Sequence, residues 1–565
     1  MARNSTYKNM ETLKTGRNSF DLSYDKLFSA DMGFLYPVMA RRAVPGDKWH
    51  ITAEMLIRMN PLVSPVITPI NAFVHTFFVP NRLIDDKFED FIKKGDTGDL
   101  EIALPLVQMW NKSGGEPKPS FYDFAEFDSI STNFANPASG DQIYGTTLHD
   151  ILYNKRRIGS WSENTAPTAE KLRAYKFIWN EYYRDQNLQS PYAFLEKHES
   201  PKYNREPINV LRRNWEKDRF TASLPFQQRG TSPSLPITGL THADFTGLVE
   251  SNALFPITDP SGISTTQFMN QSGTLGNLRG GNPNSGGSVP VGINAGINAA
   301  QLSSNNVVDL EEATTLNMNA LRQAMALQKW MERNARGGTR YTEILKRHHN
   351  VAPTDSRLDR PEYIGGVRCP IVISEVLQTS ESNVSKQGNM AGHGISVLRK
   401  KQGSYFVEEY GWIISLLSIM PRLSYANDHT NREDSYRVAE EFYWREFANL
   451  SEQAVTRKEL ILQTPAGVSP ELNDAVHGFV GIYDELRTSE STVHGLFRDT
   501  SFASWHLGRV LPTNVALNSA FIECNPDKRI FAVPTQPGFI VNYGANIVVS
   551  RQLPFIAEPG LIDHF

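Results

Sequence analysis

The chain has 565 residues, 40% of them hydrophobic, 10% aromatic and 21% charged, which excludes disorder over most of its length and leaves room for a large core. Its 57 Lys and Arg against 61 Asp and Glu leave a formal net charge of -4, so a general basic excess that would coat nucleic acid is excluded and any such contact is local. The two cysteines, Cys369 and Cys524, lie far apart and outside any CxxC, which excludes a disulfide framework and a thiolate zinc site and fits a reducing cytosol.

Residues 1–20 are polar, follow no regular period and carry Arg3, Lys8, Lys14 and Arg17 against the single Glu11. They read as a flexible, mildly basic arm, with Tyr7 and Phe20 available for base stacking. No apolar run of the kind a secretion signal carries occurs there. The longest strongly apolar stretch, Gly411–Met420, is about half of what a spanning helix needs. Neither export by a standard signal nor membrane insertion is expected.

Turn chemistry at Val44-Pro45-Gly46-Asp47 precedes a clear strand, in which Trp49, Ile51, Ala53, Met55, Ile57 and Met59 alternate with Lys48, His50, Thr52, Glu54 and Arg58. A second strand follows Pro61, Pro65 and Pro69. It is apolar on both faces, with Ile70, Ala72, Val74 and Phe78 on one and Phe73, Phe77 and Val79 on the other, as in the centre of a sandwich. Val367–Val376 and Ser404–Met420 also read as strands. Near the C-terminus, Phe539, Val541, Tyr543, Ala545, Ile547 and Val549 alternate with Asn542, Gly544, Asn546 and Ser550. Strands at opposite ends of the chain make an antiparallel β core the economical fold.

Three helices are predicted among them. Residues 169–188 are aromatic-rich, with Tyr175, Trp179, Tyr182 and Tyr183. Residues 309–336 open on Asp309 and Glu312 as a capping box, stop at Gly337-Gly338, and bury Leu310, Ala313, Leu321, Ala324, Leu327 and Met331. Residues 434–450 place Ala439, Tyr443 and Phe447 at i, i+4 spacing. The helices do not alternate with strands, which disfavours a doubly wound α/β sheet. Tyr182-Tyr183-Arg184 and Leu211-Arg212-Arg213-Asn214-Trp215 suit either subunit interfaces or ordinary core.

Residues 261–306 are rich in Gly, Ser, Asn and Thr, carry Arg279 as their one charge, and contain the tandem Gly-Ile-Asn-Ala starting at Gly292 and Gly296. Such a segment forms no core of its own. It reads either as a linker or as an exposed protrusion in which Phe268, Met269, Leu275, Leu278, Val289, Val291, Ile293 and Ile297 pack against copies of itself or a partner.

Catalytic signals are sparse. The glycines Gly273, Gly276, Gly280 and Gly281 fit neither GxxxxGK[ST] nor GxGxxG, which discards nucleotide binding. His348-His349 are adjacent, whereas one-face metal ligation on a helix needs i, i+4 spacing. Glu408-Glu409 in a strand would project to opposite faces and so could not flank one glycosidic bond. No GxSxG elbow occurs, and neither cysteine has a local nucleophile signature. No catalytic residue or cofactor is assigned. A structural divalent cation is left open without a site, since carboxylates gathered from distant segments leave no linear signature.

Several blocks in order carry a resemblance. FDLSYDKLFSADMGFLYPVMARRAVPGDKW, TPINAFVHTFFVPNRL, RLDRPEYIGG, GSYFVEEYGWIISLLSIMPRLSY and GFIVNYGANIVVSRQLPFIAEPGLIDHF together resemble the major capsid protein of microviruses, particularly the gokushovirus group, across nearly the whole chain. The resemblance implies a mainly β fold, a single eight-stranded antiparallel jelly roll with large helix- and loop-containing insertions. It also implies a T=1 icosahedral shell of sixty copies around a circular single-stranded DNA genome. The arm, 1–20, would then face the capsid interior and its DNA, residues 21–565 would form the discontinuous capsid domain, and 221–306 would be the insertion that protrudes and meets a host-surface receptor. The expected partners are other copies of the chain, the packaged DNA and a small basic packaging protein. The expected location is the virion, assembled in the host bacterial cytoplasm. The rival reading is a β-sandwich carbohydrate-binding protein or glycosidase with a groove lined by Trp and Tyr.

Overall fold

The computed structural model describes residues 16–93, 148–154, 167–191, 210–230, 354–377, 390–449, 452–462 and 471–556, with shorter pieces at 104, 106–111, 122–127, 255–258, 264–267, 318–336, 343 and 346. The chain divides into two units, Met1–Gln227 with Asn334–Phe565, and Gln228–Arg333.

In the larger unit β1 (Asn18–Asp21), β2 (Tyr24–Ala30), β3 (Tyr36–Ala43), β4 (Lys48–Met59) and β5 (Ile70–Pro80) follow in quick succession. Next come α1 (Phe88–Lys93), the pair β6 (Leu106–Asn111) and β7 (Tyr122–Phe127), then α2 (Leu148–Tyr153) and α3 (Glu170–Ile178). The smaller unit holds the hairpin β8 (Phe255–Thr258) and β9 (Ser264–Gln267) and most of α4 (Met318–Arg336). The larger unit resumes with β10 (Glu362–Leu377), β11 (Met390–Phe406), β12 (Gly411–Pro421), β13 (Glu452–Thr456), β14 (Val476–Gly481) and β15 (Phe539–Arg551).

Nine of these strands form one antiparallel sheet in the order β1-β15-β4-β11-β10-β5-β12-β3, with β2 also on β15. Successive strands therefore leap between the ends of the order: β3 is terminal, β4 lies near the opposite end, and β5 returns to the first. The sheet curls at β10. Its first part, Glu362–Ile371, pairs with β5, and its second, Val372–Leu377, pairs with β11. Pro370, which has no N–H to donate, stands just before the exchange. Curling turns the strands on either side of β10 toward each other, so Phe78 of β5 meets Tyr405 of β11 with ring centroids 5.1 Å apart. Thr76 Oγ1 of β5 likewise donates to Gln402 Oε1 of β11 at 2.6 Å and lies 2.7 Å from Ser415 Oγ of β12.

The predicted alternation of β4 and β15 is realised: Trp49, Ile51, Ala53, Ile57, Val541, Tyr543, Ile547 and Val549 are all fully buried in the same core. β5 and β12 are buried on both faces, apart from a part-exposed His75 in β5. The single strand predicted over Ser404–Met420 is two, because Val407–Tyr410 breaks the run and β11 and β12 pair with different partners. Glu408 and Glu409 accordingly lie in that link and not in a strand, and Glu409 accepts from Arg82 Nε at 2.8 Å.

The helices differ more. α3 ends at Ile178 and widens into a π-helical turn, Trp179–Tyr183, before the backbone extends at Arg184. Of the residues predicted as a helix over 434–450, the described ones, 434–449, form no α-helix. They contain the short 3₁₀ turns Glu433–Ser435 and Ala439–Glu441, and the Glu441 carboxylate accepts from the backbone N–H groups of Arg437 and Val438, a local alternative to helical bonding. α4 begins at Met318, the predicted residues 309–317 lie outside the described residues, and of its predicted buried face Met331 is buried whereas Leu327 is exposed.

The two ends of the sheet are tied at the turn between β3 and β4. The buried Asp47 carboxylate accepts from the backbone N–H of Val44 and takes both arms of Arg551, at the end of β15, at 2.8 and 2.6 Å. The bidentate fork and the lost solvation of Asp47 make its removal costly. We expect Asp47→Ala to lower subunit stability by about 3 kcal/mol, read from denaturant midpoints. A loss under about 1 kcal/mol would mean that the clamp is incidental.

Candidate assembly and nucleic-acid interfaces

The halves of the curled sheet have differently finished outer faces. Over β5 the chain seals its own surface with α3, the π turn and residues 210–215. Phe77 packs on Tyr182 with centroids 4.7 Å apart, and the Arg213 guanidinium lies 4.7 Å over the ring of Phe73. Tyr175 Oη donates to Leu35 O and accepts from Leu211 N–H, while Trp179 Nε1 donates to Arg212 O. Leu211 and Trp215 are buried. The aromatic and arginine residues of 182–184 and 211–215 thus pack within their own unit.

At the centre of this seal His75 Nδ1 lies 2.8 Å from Tyr183 Oη. Burial raises the Tyr183 phenol well above its ordinary range, so it keeps its proton beside the imidazole. Burial, helped by the Arg213 charge, lowers His75 to about 4. A second histidine, His477 of β14, stands edge-on to Phe521 at 4.8 Å and is also lowered to about 4, chiefly by burial. Neither was singled out by sequence reasoning. The available signal for His75 was a lone polar ring in an otherwise apolar two-faced strand, which means little without the neighbours.

The outer face of the other half carries no such cover among the described residues. Registers across β2, β15, β4 and β11 align Leu27, Asn542, Leu56 and Val397 in one row, and Leu27 and Val397 are 74% and 72% exposed. The next row holds Asp25, Gly544, Glu54 and Arg399, with Arg399 Nε 2.8 Å from Glu54 Oε1. Lys48, Arg58, Arg399 and Lys401 face Asp21, Asp25 and Glu54, so the surface is nearly neutral and mixed with aliphatic side chains. Charge alone would not hold nucleic acid there.

The predicted arm meets the sheet at this rim. Asn18–Asp21 pairs with Val548–Arg551, so the end of the stretch read as flexible is a strand, an edge that the isolated sequence of polar residues did not reveal. Arg17 Nη2 donates to Gly46 O, and Phe20 stacks on Phe555 at 6.0 Å. Arg3, Lys8 and Lys14 lie outside the described residues, as do Phe268, Met269, Leu275, Leu278, Val289, Val291, Ile293, Ile297 and the His348-His349 pair.

The connection from β12 to β15 has its own core of Phe220, Tyr425, Val455, Leu460, Val480, Leu511, Val515, Phe521 and Ile522. Beside it the buried Arg219 and Glu459 pair, and Arg432 reaches Glu459 at 3.3 Å and Glu485 at 3.8 Å. A cavity lined by Arg219, Tyr425, His429, Glu459, Glu490 and Thr492 offers about 10 Å³, space for a single water. Cys369 and Cys524 are buried free thiols, and burial pushes the Cys524 thiol up to about 12. Among the described residues no three His, Cys, Asp or Glu side chains gather as a metal would require. What the described surface presents is apolar and charged area for contact.

Comparison with known proteins supplies the family. The model of one family, described as Capsid protein (F protein), matches residues 8–139 and 151–561. Capsid protein VP1 of Chlamydia phage 1 is 30% identical over 613 residues, covering 98% of this chain and 97% of its own. Capsid protein VP1 of Bdellovibrio phage phiMH2K is 28% identical, covering 99% and 98%, and that of Spiroplasma virus 4 is 24% identical, covering 96% and 95%. The chain belongs to this family of microvirus capsid proteins. Its role is accordingly structural.

The buried histidines give the subunit a pH dependence of defined sign. Both have folded pKa values below the unfolded value of 6.5, so their neutral forms support the fold above that value. As pH falls from about 6.5 to about 4 the unfolded chain takes up protons that the folded chain refuses, and stability drops by on the order of 3 kcal/mol per histidine. The melting temperature of the free subunit is expected to fall across this window, and to fall less in His75→Phe. Equal slopes for the two proteins would show that His75 is not a source of the effect.

Proposed function

We propose that this chain is the major capsid protein of a bacterial virus, and that sixty copies close into a T=1 icosahedral shell around a circular single-stranded DNA genome. The observation that carries the reading is the end-to-end match with capsid proteins of three phages, with almost no residue of either partner left out. The fold agrees with it. The curled antiparallel sheet supports an eight-stranded jelly roll, read with β2, β15, β4 and β11 as one layer, β3, β12, β5 and β10 as the other, and β1 added at the rim. Residues beyond the strands are insertions. The one containing 221–306 is the surface protrusion that meets a host-surface receptor, through the apolar residues Phe268 to Ile297 named above.

The arm, with Arg3, Lys8, Lys14 and Arg17, faces the interior and contacts DNA from the rim at which β1 begins. Charge counting limits what it does. About three net charges on each of sixty arms is roughly 180, against several thousand phosphates of even a small genome, so the arms neutralise roughly a few per cent. A small basic packaging protein, polyamines or metal cations supply the remainder. The site of action is the virion, assembled in the host cytoplasm.

Light scattering and negative-stain microscopy of nuclease-treated material from an infected lysate test the reading directly. Closed particles of megadalton mass with protected single-stranded DNA are expected, together with a small basic protein or compensating cations. A small oligomer with no particles in the lysate would sink the shell, while particles with neither basic protein nor extra cations would refute the charge argument.

A further inference from the structure

In the connection between β12 and β15, residues 437–446 are exposed without interruption. They include Val438, Phe442, Tyr443 and Trp444, each about half exposed. On a helix, three consecutive side chains would diverge by about 100° each and could not all lie on one open surface. The observed backbone of turns and extended residues lets Phe442, Tyr443 and Trp444 remain exposed together.

This ribbon is held in place. Tyr483 Oη donates to Phe442 O at 3.1 Å and accepts from Trp444 N–H at 3.2 Å, and its ring stands edge-on to Tyr443 at 5.2 Å. Tyr436 Oη donates to Glu485 Oε1 at 2.9 Å, its ring lies 5.1 Å from Phe442, and Trp444 Nε1 donates to Ala439 O at 2.7 Å. Tyr483 makes these contacts from a left-handed backbone, φ 58° and ψ 32°, which is costly for a bulky aromatic residue. Arg432, at the root of the ribbon, is tied into the buried pairs of Glu459 and Glu485. Strain and a buried ionic base are thus spent on fixing side chains that have little protein above them, which lowers the ordering cost of a later contact.

The charges choose the occupant. Residues 433–447 carry Glu433, Asp434, Glu440, Glu441 and Glu446 against Arg437 and Arg445, and the Arg432 charge also acts on Glu441 while pairing with Glu459 and Glu485, so the ribbon keeps an acidic excess that disfavours nucleic acid and anionic surfaces and fits a protein that offers cations around an apolar patch. Two such ribbons also repel each other, which disfavours a self-complementary contact at a two-fold axis. Four half-exposed side chains offer roughly 400 Å², about half of what one partner contributes to a standard interface. Aromatic anchors of this kind dominate binding energy.

Resting on the capsid reading, we propose that the ribbon Tyr436–Phe447 is a subunit contact that seats on a different, cation-flanked surface of a second copy of this chain. The contact is heterologous, the type that closes rings around three-fold or five-fold axes.

The test uses the full chain under conditions in which the unaltered protein forms particles. In F442S/W444S, particle yield by sedimentation should fall at least tenfold while the melting temperature of free subunits stays within a few degrees. Hydroxyl-radical footprinting of unaltered particles against their dissociated subunits should show Tyr443 and Trp444 protected at least fivefold, a readout that stands even if the variant folds poorly. Full particle yield from a well-folded variant overturns the proposal, as does equal labelling of Trp444 in particles and free subunits. Protection that requires another virion protein assigns the ribbon to that protein and equally overturns it. If the unaltered chain forms no particles, the shell reading fails first and carries this one with it.

Discussion

Everything in the larger unit depends on a strand supplied by the far end of the chain. β15 pairs along one edge with β4 and along the other with β2 and β1, so without it β1 and β2 have no place in the sheet. Its inward residues, Phe539, Val541, Tyr543, Ile547 and Val549, are all fully buried, so the same element supplies ladder bonds and core. The Asp47–Arg551 fork closes this arrangement where the turn before β4 meets the end of β15. Pairings between residues some five hundred positions apart make the loop-closure term large and formation of the sheet slow compared with local hairpins.

The curl that β10 produces creates one inside and two dissimilar outsides. On the first outside, the chain supplies its own lid of α3, the π turn and 210–215, with Tyr183, Arg213 and His75 satisfying one another at the seam. On the second, aliphatic and charged residues alternate without cover among the described residues, and β1 forms the edge. A subunit designed to function alone would gain little from leaving Leu27 and Val397 in water; one that assembles with its own copies meets other protein surfaces. The second core and the Arg219, Glu459, Glu485 and Arg432 cluster serve a different end. Apolar groups of the same volume would hold this core as well, but ionic partners fix one geometry, and Arg432 ties the root of the ribbon to it.

How much of this was legible in the sequence follows from how each element is buried. β4 and β15 announce themselves because one face is core and the other is not, and β5 and β12 because both are core. β2, β3 and most of β11 escaped: β3 is buried on both faces at its start yet carries Pro37 and a pair of arginines, and β11 is broken by Arg399-Lys400-Lys401. Period-2 patterns fade where exposure depends on the curl of the sheet and not on the strand itself. The helix expected at 434–450 failed for a related reason. Its aromatic spacing is real, but the ribbon's apolar side chains are not buried by the chain that carries them, and spacing cannot say which surface will bury them. For the interfaces, the sequence marked the arginine- and tyrosine-rich segments without distinguishing lid from contact, and it gave no hint of Tyr483, whose importance lies in its backbone angle. The family resemblance, by contrast, was spread over enough blocks to be read directly.

The position of β15 also bears on when a subunit becomes usable. During synthesis the ribosome releases β1 to β12 long before residue 551, and throughout that interval β4 and β2 lack the strand that joins them. Until then β1 and β2 stay unpaired and the sheet incomplete, a state more open to aggregation than the finished one. Products of premature termination share the same defect. Because β15 lies inside the sheet and not at its edge, a chain that stops short of it cannot complete the ladder that joins β2 to β4.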